Sequence, residues 1–352
     1  ERVEAKNTTP DPIVLQRLLA DYLRRGARNV AMEVSSHGLD QGRVAGIKFD
    51  TAVFTNLTRD HLDYHGTMEA YAEAKYGLFG ARGLSHRVIN VDDAWGAGFA
   101  ERLGGEVITY GAQRGTRGPR ICASEISMSE AGVRFHVDSE WGSGEVRSRV
   151  LGAFNVSNLL AVLGALLAAD VRFEQALVAL SALDPVPGRL ERLGGGAAPL
   201  VVIDYAHTPD ALEKALEALR SVVGSTAPRV PAGRLICVFG CGGDRDPGKR
   251  PLMGQAAARL ADHVIVTSDN PRSEAPEAII AQVLAGISGG AESIEDRQVA
   301  IFSAVHQARP GDVVLLAGKG HETYQEIAGV RHPFSDREVS RAALAEWESG
   351  AR

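Results

Sequence analysis

Cysteine is scarce in this chain: among 352 residues there are three, Cys122, Cys237 and Cys241. Three thiols cannot all pair within one chain, which excludes a disulfide framework and points to a reducing cytoplasm. Cys237 and Cys241 lie close together, but no second half-site of His or Cys follows them, so a structural zinc is excluded as well. Long apolar runs are also missing. No stretch of about 18 residues is hydrophobic enough to cross a bilayer, and the first residues do not read as a signal peptide. Nor is there an excess of positive charge. A formal net charge of −6 excludes a general nucleic-acid or anionic-membrane surface, while leaving room for local basic pockets. Finally, no G-x-G-x-x-G fingerprint follows the first strand of either half, which removes an NAD-dependent dehydrogenase from consideration.

What remains is ordinary globular composition, 45% hydrophobic and 23% charged, over a length that fits two domains. Apolar residues at three- and four-residue steps predict a helix over Ile13–Arg25, and further helices are expected over Thr67–Phe79 and Asn155–Ala169. Val30–Val34, Thr51–Leu57, Arg87–Val91 and Glu106–Tyr110 read as buried strands. Between Arg120 and Val150, Val133, Phe135 and Val137 alternate with Arg134, His136 and Asp138, the pattern of an antiparallel hairpin. Asp184-Pro-Val-Pro-Gly188 reads as a linker. Beyond it strands at Leu200–Ile203, Arg234–Phe239, His263–Thr267 and Asp312–Ala317 alternate with helices. The expected fold class is α/β with two domains, 1–186 with a mostly parallel sheet plus the hairpin, and 187–352 with a Rossmann-like doubly wound sheet.

In such sheets ligands sit beyond the carboxyl ends of the strands. Here those ends are markedly polar: residues 33–37, 56–63, 204–209, 240–246, 268–272 and 318–322 each bring charged, His-bearing or Gly-rich loops. They point to one long cleft between the domains. Glu33 and His61, with a carboxylate-like third group, suit Mg²⁺ beside a phosphate; read alone, a solvated Glu and a hydrogen-bonded His is the favoured reading. Gly240–Asp246 has the glycine density for close backbone approach to an anion, though a tight turn explains it equally. Arg245 and Arg272 can fork onto carboxylates, and Glu322 can accept from an ammonium, a combination that suits a zwitterionic amino acid. A structural salt bridge is the plainer alternative for Glu322.

The strings 31–39, 54–66, 204–212, 240–250, 269–272 and 318–322 together resemble the MurE family of Mur ligases, from Asn7 to the Asp336–Glu338 region. The resemblance implies an ATP-dependent amide ligase that joins meso-2,6-diaminopimelate to UDP-MurNAc-L-Ala-D-Glu through an acyl phosphate, with the central Mur-ligase fold and a Rossmann-like C-terminal domain. It implies a cytoplasmic, monomeric enzyme that uses ATP and Mg²⁺. By the same resemblance Asn7, Thr8, Thr9, Ser35, Gln41 and Arg43 contact the UDP-MurNAc-dipeptide. Glu33 and His61 hold magnesium with Lys75 as its carbamate; without the resemblance, Lys75 reads as an exposed helix residue. Asn158, Arg189, Asp204 and His207 fall on the nucleotide side. Arg245, Asp269, Asn270, Pro271, Arg272, Gly318 and Glu322 fall in the diaminopimelate pocket. Arg272 carries the choice of diaminopimelate over lysine, because a guanidinium opposes a side-chain ammonium.

The sequence departs from the family pattern at its front. It starts at Glu1, and it contains neither the uridine-binding domain nor any Gly-Lys-[Ser/Thr] phosphate loop. A polypeptide of this sequence alone is therefore expected to bind ATP poorly and to be inactive as a ligase. The alternatives are a lysine-adding or folylpolyglutamate-type ligase, and a truncated, non-catalytic module that only binds substrate.

Overall fold

The computed structural model describes residues 7–58, 60–112, 118–223 and 233–350; Arg59 of the 56–63 string lies outside them. The chain divides into two compact units. The first comprises Glu1–Ser124, His136–Gly144 and Ser157–Leu177, and the second Glu125–Phe135, Glu145–Val156 and Val178–Arg352.

The chain begins with helices α1 (Pro12–Arg24) and α2 (Ser36–Asp40), followed by strand β1 (Thr51–Phe54) and helices α3 (Leu62–His65) and α4 (Met68–Tyr76). Then come β2 (His86–Asn90), α5 (Ala94–Leu103), β3 (Ile108–Gly111), β4 (Ile121–Ser129), β5 (Gly132–Ser139), β6 (Gly142–Ser148), α6 (Phe154–Ala168) and α7 (Phe173–Ser181). The six strands form one sheet in chain order, parallel from β1 to β4. Two-residue connections after β4 and β5 leave room only for antiparallel returns, so the expected hairpin is a three-stranded meander. Val133, Phe135 and Val137 point into the core as the alternation required. The first unit's core gathers Ala52, Phe54, Tyr71, Phe79, Ile89 and Phe99, with the Phe54 and Phe99 rings edge to face at 5.0 Å.

One expected strand is absent. Val30–Val34 pairs with no strand among the described residues, and Val30 is 49% exposed. An apolar run becomes a strand only when a neighbour accepts its backbone hydrogen bonds, and here none does.

The second unit is built as β7 (Glu191–Gly194), β8 (Leu200–Asp204), α8 (Pro209–Arg220), β9 (Leu235–Phe239), α9 (Lys249–Leu260), β10 (His263–Val266), α10 (Pro276–Leu284), β11 (Glu292–Ser293), α11 (Arg297–Gln307), β12 (Val313–Ala317), β13 (Tyr324–Ile327), β14 (Val330–Pro333) and α12 (Asp336–Gly350). Its main sheet has the order β11-β10-β9-β12-β8-β7, parallel except for β7 against β8. Alternate residues of each central strand enter opposite cores. Leu200, Val202, Cys237 and Phe239 meet Leu212 and Leu216 on one face; Val201, Ile203, Ile236 and Val238 meet Ala300, Ile301 and Ala304 on the other. That two-sided burial explains the unbroken apolar strands, and it makes the sheet doubly wound. The loops after β8, β9, β10 and β12 consequently emerge at the same carboxyl edge.

Candidate active site

In the first unit the segment after Val30 is held by Thr9. This residue is fully buried; its hydroxyl donates to the Glu33 carbonyl at 3.2 Å and accepts from the Ser35 amide at 2.8 Å. The Thr9 carbonyl in turn accepts from Arg43 Nη1 at 2.9 Å. Ser35 caps α2 by accepting from the Gly38 amide at 3.1 Å, and Gln41 accepts from Arg43 Nε at 3.0 Å. Thr9, Ser35, Gln41 and Arg43 are thus one cluster, while Asn7 and Thr8 are exposed beside it. Arg43 also lines a groove of about 470 Å³ with Pro12, Ile13, Gln16 and Gly46.

Next to this cluster lies a nest of imidazoles and phenols. His61 takes a left-handed backbone (φ 54°) ahead of α3, and its ring stands 4.9 Å from His37 and 5.7 Å from Tyr71. His65 stacks on Tyr71 at 5.3 Å and shares a 2.9 Å hydrogen bond with the buried Ser36 hydroxyl. From α4, Lys75 places Nζ 5.3 Å from the centre of the same Tyr71 ring. Lys75 is half-buried and forms no ion pair among the described residues. Desolvation holds its amine below the usual lysine range, opposed by the negative charges of Glu33 and Asp60. His61 and Lys75 thus both lie against Tyr71, the Glu33 charge acts on Lys75, and the expectation of an exposed Lys75 from its helix alone does not hold. No set of three His, Cys, Asp or Glu among the described residues could hold a metal.

Asn158 sits exposed in the first turns of α6. The other nucleotide-side candidates belong to the second unit. Asp204 ends β8 and accepts from the Leu190 and Ala206 amides at 2.8 and 2.9 Å. Burial pushes its carboxyl up, against those two bonds and the nearby Arg189 charge. Arg189 lies 5.3 Å from the centre of the Tyr205 ring, and the His207 ring stands 4.8 Å from Tyr205. His207 Nδ1 meets the Tyr205 carbonyl at 2.8 Å, so it donates there and its Nε2 faces outward as the acceptor when neutral.

The diaminopimelate candidates converge on the loops after β9, β10 and β12. Arg272 has a left-handed backbone (φ 53°), donates from Nη1 to the Gly243 carbonyl at 2.7 Å, and keeps its side chain 23% exposed. A Cβ on Gly242 would lie 2.9 Å from Arg272 Nη1 and 3.7 Å from Arg245 Cγ, so the two arginines flank that glycine. Arg245 is exposed and makes no hydrogen bond or ion pair among the described residues. Asn270 donates to Glu322 Oε2 at 2.9 Å. Asp269 and Pro271 are buried, and a Cβ on Gly318 would strike Asp269 Oδ2 at 2.5 Å. All seven pocket candidates therefore fall in one neighbourhood.

Two residues that sequence reasoning passed over complete it. Lys319, fully buried, donates to Asn270 Oδ1 at 3.0 Å and to Glu322 Oε2 at 3.1 Å, the salt bridge that the plainer reading of Glu322 offered. Arg250, 1% exposed, braces the Gly242 carbonyl at 3.2 Å and binds Glu274. Lys319 stood inside a quoted motif, and Arg250 at the end of another; only their burial was invisible.

Residues 2–166 match the Mur ligase middle domain, and residues 188–320 the Mur ligase glutamate-ligase domain. The chain is 53% identical over 348 residues to the UDP-N-acetylmuramoyl-L-alanyl-D-glutamate–2,6-diaminopimelate ligase of Chromobacterium violaceum, covering 98% of this chain and 69% of that one. The chain belongs to the MurE family of Mur ligases. The Pseudomonas aeruginosa MurE relative of the same name is 54% identical, again over 69% of its length. A solved structure of a UDP-N-acetylmuramoyl-L-alanyl-D-glutamate–2,6-diaminopimelate ligase superposes with a TM-score of 0.72 at 44% identity, covering 96% of this chain and 69% of that one. MurF ligase from Thermotoga maritima, solved with ADP, shares the MurE-type fold at a TM-score of 0.59 and 18% identity.

Proposed function

We propose that the chain supplies the middle and C-terminal parts of an ATP-dependent amide ligase that adds meso-2,6-diaminopimelate to UDP-MurNAc-L-Ala-D-Glu in the cytoplasm, as a monomer. The domain boundary in this reading falls at residue 187. One observation carries the substrate choice: two guanidinium-bearing side chains, Arg245 and Arg272, flank Gly242 in the neighbourhood of Asn270 and Glu322. Forked cations near an acid suit an amino acid with carboxylates at both ends; a lysine side chain would bring an ammonium toward Arg272. The names of the 53–54% identical relatives support the same reading.

In the first unit, Thr9, Ser35, Gln41 and Arg43, with Asn7 and Thr8 at their edge, would orient the dipeptide substrate. Magnesium would neutralise the phosphoryl group transferred from ATP to the substrate carboxylate, giving the acyl phosphate that the amine attacks. The donor set suits that ion only if Lys75 joins Glu33 and His61 as a carbamate, since among the described residues no third carboxylate or imidazole completes a site. A desolvated amine without an ion-pair partner is the form that takes up CO₂. Asn158, Arg189, Asp204 and His207 would serve the nucleotide. Asp204 would do so chiefly by shaping its loop, because both oxygens already accept backbone amides.

The test is amide formation from UDP-MurNAc-L-Ala-D-Glu by the protein carrying a phosphate loop ahead of Glu1, with meso-diaminopimelate and L-lysine compared as acceptors. Equal use of both would defeat the proposal.

A further inference from the structure

Lys319 has no role in the chemistry assigned so far, yet the fold spends a fully buried ammonium on it. Glycines with positive φ on either side, Gly318 at 113° and Gly320 at 52°, turn the chain so that this side chain enters the protein. Nζ then reaches three acceptors, each in the diaminopimelate neighbourhood: Asn270 Oδ1 at 3.0 Å, Glu322 Oε2 at 3.1 Å and Asp269 Oδ1 at 3.9 Å. Asn270 Oδ1 also takes the Glu326 amide at 2.9 Å, and Asn270 Nδ2 donates to the same Glu322 oxygen. Every polar atom of the Asn270 amide is thereby fixed. Of the Glu322 carboxylate, only Oε1 accepts nothing among the described residues.

Resting on the reading above, we propose that Lys319 is the positioning residue of the amino-acid pocket, holding Asn270 and Glu322 so that Glu322 Oε1 alone receives the ligand's ammonium. The charges agree with this. Arg297 is committed to Asp336, so Lys319 is the cation that Asp269 and Glu322 share, at 3.9 and 3.1 Å. Burial pushes the Asp269 carboxyl up, and the Arg297 and Lys319 cations oppose that push. The other titratable groups facing this cluster are Tyr205, Tyr324 and Cys241; Glu326 is turned to Arg272 at 3.9 Å. Without Lys319, two carboxylates would share a desolvated place with one cation fewer, and they would retain a proton that an incoming ammonium has to displace.

The experiment is calorimetric binding of meso-diaminopimelate to the full chain, wild type against Lys319→Met, Glu322→Gln and the double variant. Lys319→Met should weaken binding about tenfold or more near pH 7. The wild-type affinity should be flat from about pH 6 to 8, whereas that of Lys319→Met should improve as pH rises and the retained proton leaves. In the Glu322→Gln background Lys319→Met should change affinity less than about twofold, because the carboxylate that it positions for the ammonium is already gone. The double variant leaves one buried charge fewer unpaired, so it keeps the question answerable even where Lys319→Met alone folds poorly. Wild-type affinity in Lys319→Met overturns the proposal, as does a pH-independent loss that adds to that of Glu322→Gln. A wild-type chain that fails to bind meso-diaminopimelate, or one indifferent to Arg272→Ala, overturns the pocket assignment itself and this inference with it.

Discussion

Arg250 holds both carboxylate oxygens of Glu274, each at 2.8 Å, from a position that is 1% exposed. The same carboxylate accepts the Asp244 amide at 2.6 Å, and Arg250 donates to the Gly242 carbonyl, so the pair staples the glycine-rich loop that carries Arg245. The hydrogen bonds from Arg250 hold the Glu274 carboxyl at about 2, well below its ordinary 4.5. A carboxyl depressed by folding adds stability above its unfolded value, and that stability is lost as pH falls through the folded one. Wild-type Tm should therefore decline between about pH 4.5 and 2 more steeply than that of Glu274→Gln. Thermal melts across that range read it out, and parallel curves would refute the linkage.

The Arg297–Asp336 pair lies wholly inside the second unit, with both side chains at 0% exposure and hydrogen bonds of 2.8 and 2.7 Å. It ties α11 to the first turn of α12, and Arg297 also donates to the Ala317 carbonyl at the end of β12. Arg297→Met would strand the Asp336 charge and should cost about 3–5 kcal/mol. Combining it with Asp336→Leu should recover most of that loss, because the stranded charge is gone. Chemical denaturation of the three variants gives both numbers.

Arg272→Ala should weaken meso-diaminopimelate binding by about 10- to 150-fold, the loss of a hydrogen bond to a charged group. L-lysine binding should hold steady or improve, since the opposed cation is gone. Calorimetry with the two amino acids separates this from a collapsed pocket, which would lose both.

Lys75→Arg keeps a positive charge on α4 but cannot form a carbamate. Incubated with ¹³C-bicarbonate, the wild-type chain should show a carbamate carbon resonance that Lys75→Arg lacks. In the ligase assay, Lys75→Arg and Lys75→Ala should both fall by at least about a thousandfold, on the scale of removing a phosphoryl-transfer charge stabiliser. Wild-type activity in Lys75→Arg would remove the carbamate from the mechanism.

Where sequence periodicity is dictated by burial, it was readable. The unbroken apolar strands β8, β9, β10 and β12 announce two-sided packing, and the alternation at Val133, Phe135 and Val137 announces one-sided packing. Val30–Val34 carries the same apolar signal but stays unpaired, because strand formation needs a partner that composition cannot supply. The hairpin of β13 and β14 escaped notice since β13 is half-buried along most of its length and β14 is exposed throughout, which leaves no alternation to see. The pocket residues were legible because glycine, proline and charge cluster after strands. Lys319 and Arg250 were not, because a lysine or arginine in a loop looks solvated until the neighbours that neutralise it are in place.

Arg272 is bonded to β13 and the turn beyond it through its own backbone: its amide donates to the Glu326 carbonyl at 3.0 Å, and its carbonyl accepts from the Ala328 amide at 2.6 Å. The backbone that carries its guanidinium is thus tied to a surface ribbon, while Nη1 itself is held by the Gly243 carbonyl after β9. Lengthening or shortening the turn at Ala328-Gly329 should swing that cation without touching any contact residue. Anyone re-engineering the enzyme for a new acceptor would do well to start with this ribbon as the steering arm.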